Sequence, residues 1–143
     1  MSRSPVDIAF LAMAVADFEP VDRLSGKLET PSETISISFR AAPKVIRSVR
    51  DWSSDVFLVG FKLLSGVSET QLIRAAEEAC VVNRADVTLA NDLRLLQAGR
   101  HTVHLVRPGG PTETFLGPEL AERIVERVFE LARRRIAARE VSS

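Results

Sequence analysis

Apolar runs broken by short polar stretches divide the chain into strand-sized and helix-sized segments. Residues 6–16 read VDIAFLAMAVA, with apolar side chains on both parities. Such a run predicts a strand covered on both faces, as in a parallel sheet flanked by helices, with a buried helix as the alternative. The polar stop at Asp17-Phe18-Glu19-Pro20 favours the strand. Residues 17–33 then form a long polar loop with Pro20, Gly26 and Pro31, and long ordered loops tend to carry function. Residues 34–40 alternate, with Ile35, Ile37 and Phe39 on one side, which predicts a half-exposed strand. Pro43 suits the first position of a helix whose buried stripe is Val45, Ile46 and Val49, closed by Trp52. VFLVGF at 56–61 is a second strand of the fully buried kind.

Ser68-Glu69-Thr70-Gln71 fits a capping box, with Ser68 as N-cap. The helix it opens buries Leu72, Ile73, Ala76, Ala79 and Cys80 at helical spacing. A short strand at 86–90 follows. Residues 102–106 and 112–116 flank Pro108-Gly109-Gly110-Pro111 and read as a hairpin. The last helix spans about 119–139 with Leu120, Ile124, Val128, Leu131 and Ile136 inward, and residues 140–143 read as a disordered tail. Strands alternating with helices predict one α/β domain over 1–143, a Rossmann-like three-layer fold with a mainly parallel sheet. Ligands of such sheets bind beyond the carboxyl ends of the strands. The loops leaving those ends are 16–33, 61–67 and the one from Asn91 onward.

Composition narrows the classes. Hydrophobic residues make up 45% and charged residues 27%, the balance of an ordered globular domain. Lys plus Arg and Asp plus Glu each number 19 and are interspersed, so no nucleic-acid-binding field is expected. The one concentration is Arg133, Arg134, Arg135 and Arg139, which reads as a cationic last turn complementing the helix dipole. No apolar run approaches the ~18 residues that a transmembrane helix needs. Only Arg3 precedes the run at 6–16, so no signal peptide is expected either. Cys80 is the sole cysteine, which excludes an intramolecular disulfide and suits a reducing cytoplasm. It reads as an inert core residue.

Familiar catalytic constellations are mostly missing; spacing leaves Ser/His/Asp catalysis open, but nothing specific supports it. There is no GxGxxG and no P-loop lysine, and His101 and His104, three apart on a strand, fall on opposite faces. The three loops are more informative. Ala14, Ala16, Asp17 and Phe18 end the first strand, and Lys27 follows within the loop. Gly60, Phe61 and Lys62 end the second, and Asn91-Asp92 ends the third. Small residues at a strand end admit close approach of a ligand. A loop lysine closes over phosphates as a compact charge on a long stem. Asp17 suits a metal or a base, and Phe61 offers a flat stacking face. Taken singly, each residue also has a plain structural reading, as solvated charge, core or turn.

Taken together, AVADFEP at 14–20, Gly26-Lys27-Leu28, APKVIRSVRDW at 42–52, LVGFKL at 58–63 and ADVTLAND at 85–92 resemble phosphopantothenate–cysteine ligase. The resemblance runs from about Asp7 to the last helix and is strongest to the stand-alone form of the enzyme. It implies that Ala14, Ala16 and Asp17 border the nucleotide base and the reacting phosphate, with Phe18 beside them. Lys27 would grip phosphate, Gly60, Phe61 and Lys62 would lie close to the nucleotide, and Asn91 would sit in the family's AND turn. The implied catalytic pair is Lys27 and Asp17, with Asp17 also toward Mg²⁺. Implied substrates are 4′-phosphopantothenate, cysteine and a nucleotide, CTP or ATP. Further family lysines just after the loop lysine are replaced here by Glu29 and Thr30. Nothing matches the family's glycine-rich first turn, so its N-terminal βα units are expected from a second chain, or the edge is covered in a homodimer. The other reading is a non-catalytic nucleotide-binding subunit that completes another chain's sheet.

Overall fold

A computed structural model describes residues 6–13, 16–22, 26 and 36–142. Ala14, Lys27 and the start of the expected strand at 34–40 lie outside the described residues. Contacts gather into two compact units, Met1–Ala12 with Ile46–Ser143, and Met13–Val45.

The larger unit is built on a five-stranded sheet of β1 (Ile8–Leu11), β4 (Phe57–Leu64), β5 (Val87–Asp92), β6 (Thr102–Val106) and β7 (Glu113–Leu116), in that spatial order. Pairing is parallel from β1 to β5, and the β6–β7 hairpin adds antiparallel strands at one side. Strand alternation sorts side chains onto two faces. Phe57, Val59, Val87, Leu89, Leu105 and Phe115 meet Ile124, Val128, Leu131 and Ala132 of helix α4 (Leu120–Val141). On the opposite face α2 (Glu69–Asn83) brings Leu72 and Ala76 against Ala90 and Val106. Helix α1 (Val45–Trp52) sits over Gly60, where an added Cβ would lie 3.1 Å from Ile46 Cδ1. Two helical layers thus enclose the sheet in the expected α/β arrangement. The smaller unit holds an antiparallel ribbon of β2 (Phe18–Pro20) and β3 (Phe39–Ala41).

Several elements form for the reasons their sequence gives. Ser68 accepts from Gln71 N–H while Gln71 returns a bond to Ser68 N–H, closing the capping box of α2. Cys80 is buried and donates to Thr88 Oγ1 at 3.0 Å, and burial pushes its thiol pKa up. His104 is buried and paired with Thr114 at 3.0 Å, while His101 is exposed.

Other expectations are corrected. Among the described residues of the run at 6–16 only the four of β1 pair as a strand, and they are half-buried or exposed rather than covered on both faces, because β4 is β1's one sheet neighbour among the described residues. Regular strand pairing in the second ribbon begins at Phe39, and Ile37 and Phe39 are exposed. Helix α1 starts at Val45, two residues after Pro43, and Trp52 is 71% exposed, so it closes nothing. Ile136 is exposed because α4 has by then run to the amino ends of the strands, where Arg139 pairs with Asp55 at 2.6 Å. Helix α4 continues to Val141, into the stretch expected as tail.

Asp86 ties these layers together. Its Oδ2 accepts from Leu58 N–H at 2.7 Å, Arg50 of α1 at 2.8 Å and Arg135 of α4 at 2.6 Å. Arg135 also lies over the Phe57 ring, and burial lowers its pKa from the ordinary arginine value. Asp86→Ala removes the common acceptor and leaves two partly buried guanidiniums without it. The expected loss is about 2–3 kcal/mol of unfolding free energy. Urea denaturation checks this, with a lower midpoint at unchanged slope. A midpoint equal to wild type would show that the three bonds to Asp86 carry no net stability.

Candidate functional site

The carboxyl ends of β4 and β5 carry most of the sequence-selected residues that the structure describes. Strand β1 stops at Leu11, in register with Gly60, while β4 continues beside β5 alone, pairing Phe61 with Leu89 and Leu64 with Asp92. The expected strand end at Phe61 is therefore three residues early, and Gly60, Phe61 and Lys62 stand within the strand. Alternation separates them. Phe61 and Leu63 lie on the α4 face of the sheet beyond the residues that α4 covers, and Phe61 is 45% exposed. Lys62 points to the opposite face, half-buried and in register with Ala90. Asn91, half-buried, shares the Phe61 face and lies in register with Leu63. One ligand group can stack on Phe61 and bond Asn91 from one side, whereas Lys62 reaches only what passes over the edge to the other. Gly60 is buried beneath Ile46, so its missing side chain makes room for α1.

Asp92 is the positioning residue that sequence reasoning passed over. It is buried, and its Oδ1 accepts from Arg94 N–H at 2.7 Å and Gly66 N–H at 3.4 Å. The first bond caps α3 (Leu93–Gln97), and the second ties the loop after β4 to the end of β5. Arg94 lies across Gly66 so closely that a Cβ there would sit 2.8 Å from its guanidinium carbon. Gly66 also holds φ +68, a left-handed backbone that a side chain strains. The signal was present as an Asn-Asp pair before the apolar run Leu93-Arg94-Leu95-Leu96, an N-cap pattern that resembles ordinary turn chemistry. At the same end of the sheet a cavity of about 450 Å³ opens among Arg100, His101, Thr102 and Leu116.

In the smaller unit Ala16, Asp17 and Phe18 are all exposed. Asp17 pairs with Lys44 at 2.6 Å, and its carbonyl accepts from Ala42 N–H at 2.9 Å. Phe18 and Phe39 share a ribbon face, while Glu19 pairs with Arg40 at 2.7 Å across the other. No cluster of three metal-ligating side chains occurs among the described residues. Asp17, expected toward Mg²⁺, is here the ion-pair partner of Lys44. No described helix is long and apolar enough to cross a membrane.

Asp92→Ala should cost about 1–2 kcal/mol, the loss of a cap and of a buried acceptor together. Amide exchange at Gly66 and Arg94 should quicken while the β5 core stays protected. Unchanged exchange at both amides would mean that Asp92 does not hold the edge.

Comparison with known proteins places this geometry in a family. Residues 1–131 match the family described as the DNA/pantothenate metabolism flavoprotein C-terminal domain. The coenzyme A biosynthesis bifunctional protein CoaBC of Thermococcus kodakarensis is 33% identical over 100 residues, covering 70% of this chain and 25% of its own length. The CoaBC protein of Methanocaldococcus jannaschii is 30% identical over 130 residues, covering 89% of this chain and 32% of its own. The chain thus spans about a quarter to a third of the curated relatives it matches. Among solved structures, the DNA/pantothenate metabolism flavoprotein of Streptococcus pneumoniae superposes with a TM-score of 0.75 at 27% identity, over 87% of this chain and 63% of that one. A Cab2 mutant in complex with phosphopantothenate-cysteine shares the fold, with a TM-score of 0.73 at 22% identity over 90% of this chain and 45% of that one. The chain belongs to the DNA/pantothenate metabolism flavoprotein C-terminal domain family.

Proposed function

We propose that this chain is the ligase portion of a phosphopantothenate–cysteine ligase, a cytoplasmic enzyme of coenzyme A synthesis that uses CTP or ATP. The observation that carries the reading is the family match over residues 1–131, which takes in every motif-bearing segment of the chain. In this reading the carboxylate of 4′-phosphopantothenate attacks the α-phosphorus of the nucleotide and pyrophosphate leaves. The amine of cysteine then attacks the acyl carbon, the amide forms, and the nucleoside monophosphate leaves with the bonding pair. Such chemistry asks the protein for alignment and charge neutralisation more than for a nucleophile. Lys27 grips the phosphates, Asp17 orients the reacting end, and Ala14, Ala16 and Phe18 border the base. Asn91 and Phe61 line the sheet edge, Gly60 lets α1 pack behind it, and Lys62 bonds ligand groups that cross the edge. Mg²⁺ bound with the nucleotide supplies further neutralisation of the triphosphate.

A second chain completes the enzyme in this proposal. Strand β1 has one sheet neighbour among the described residues and presents Phe10 at 39% exposure, a hydrophobic edge of the kind that proteins cover. A polypeptide carrying the preceding βα units covers it by adding a strand, and self-association is the other means.

Pyrophosphate release from 4′-phosphopantothenate, cysteine and CTP or ATP tests the proposal, with the chain alone and with the product of the adjoining reading frame. Activity is expected only with the second chain, and Lys27→Ala is expected to lower it at least ~100-fold without changing the thermal melt. Wild-type turnover by a folded Lys27→Ala protein would remove Lys27 from the site. Full activity of the chain alone as a monomer would remove the second chain.

A further inference from the structure

The arginine run near the C-terminus is only partly absorbed by the fold. Arg135 is spent on Asp86 and on the Val56 carbonyl at 3.1 Å, and Arg139 on Asp55. Arg134 is exposed and makes no ion pair with another described residue. It lines an open cavity of about 590 Å³ at the amino pole of the sheet, opposite the edge that carries Asn91. Arg135 lines the same cavity from α4, and Arg107 and the Gly109-Gly110 turn line it from the β6–β7 hairpin.

Arg107 is the informative member. Its Nη2 stands 3.8 Å from Glu113 Oε2, beyond hydrogen-bond reach, and its buried Nε has no hydrogen-bond partner. Glu113 Oε2 is likewise without one, while Glu113 Oε1 is held by Arg127 at 2.8 Å. A desolvated guanidinium N–H lacking an acceptor is a cost that a ligand can remove. The charges around the cavity do not cancel. Among the lining residues Arg107, Arg134 and Arg135 stand against Asp86 alone, which already accepts from two guanidiniums and one backbone N–H, while Glu113 beside Arg107 is shared with Arg127. Phe57 and Leu131 form apolar wall, which strengthens any charge pairing made there. Gly110 gives Arg107 its place, since an added Cβ would lie 3.3 Å from the guanidinium carbon.

We propose that this cavity binds a compact oxyanion of the phosphate class, as inorganic phosphate or as the head of a small phosphomonoester. Arg107 turns its guanidinium from Glu113 to bring the orphaned Nε–H to the ligand, Arg134 closes over the mouth, and Arg135 adds charge while staying on Asp86. Fork-shaped guanidiniums suit tetrahedral oxyanions better than lysines do. The site stands on geometry independent of the ligase reading, and binding there can be measured without turnover.

The test is an amide and arginine side-chain NMR titration of the full chain with inorganic phosphate, at ionic strength held constant with sodium chloride. A second titration uses glycerol phosphate. Saturable shifts are expected at Gly109, Gly110 and Arg107 Nε. Arg134→Ala, which breaks no hydrogen bond or ion pair among the described residues, should weaken binding roughly tenfold, the scale of one charge-assisted bond. Adding Arg107→Ala should abolish it. Saturation by both ligands assigns the site to phosphomonoesters, and saturation by inorganic phosphate alone assigns it to the free ion. Shifts that never saturate, or that keep the wild-type affinity in Arg134→Ala, would overturn the proposal.

Discussion

Asp86 stands at the start of β5, and one of its oxygens holds the β4 backbone through Leu58 N–H, α1 through Arg50 and α4 through Arg135. A carboxylate that accepts three bonds in a partly dry site is strongly directional, so it fixes the register in which β4 and β5 begin. From that start the two strands run in parallel with Val59, Val87 and Leu89 buried on one face and Thr88 and Ala90 on the other. Cys80 closes the second face by donating to Thr88, and α4 closes the first. The helical layers are therefore aligned by an ion cluster at one pole of the sheet, and the candidate ligand edge stands at the other.

That separation of poles gives the edge its character. Past Gly60 the β4 strand loses β1 and keeps only β5, so Phe61 and Leu63 emerge from cover while the backbone stays paired. Asp92 then fastens the loop after β4 to the end of β5, which leaves Asn91 held from both sides of the turn. An edge of this kind is rigid in backbone yet open in side chain, a combination that binding by preorganised groups requires. The same shortness of β1 leaves a hydrophobic edge at the side of the sheet, which links the fold to the proposal of a covering chain.

The sequence made the layers legible where burial is uniform. The buried part of VFLVGF up to Gly60, the capping box at Ser68 and the hairpin around Gly109-Gly110 read correctly because local chemistry and tertiary position agree there. It misled where position overrides pattern. The run at 6–16 has the composition of a central strand, but its β1 segment has β4 as its one neighbour among the described residues, and Trp52 and Ile136 fit a helical stripe that outruns the sheet it should cover. Asp86 and Asp92 were the hardest to read, since a single aspartate's partners lie in other elements and leave no local period. Gly60 was legible as a special position, but the neighbour it admits is Ile46. Asp17 and Phe18 fall in the second unit, and Ala14 and Lys27 lie outside the described residues, so their part in the site stands on resemblance.

Native-state hydrogen exchange on the intact chain tests the central claim, that the β4–β5 pair anchored at Asp86 is the most stable part of the molecule and holds the ligand edge in place. The amides shared by β4 and β5 should exchange last and together, near the global unfolding limit. Those of β1 and of the β2–β3 ribbon should exchange sooner, by roughly tenfold or more. Protection of β1 equal to that of β5, or a β6–β7 hairpin that outlasts the β4–β5 pair, would contradict the account.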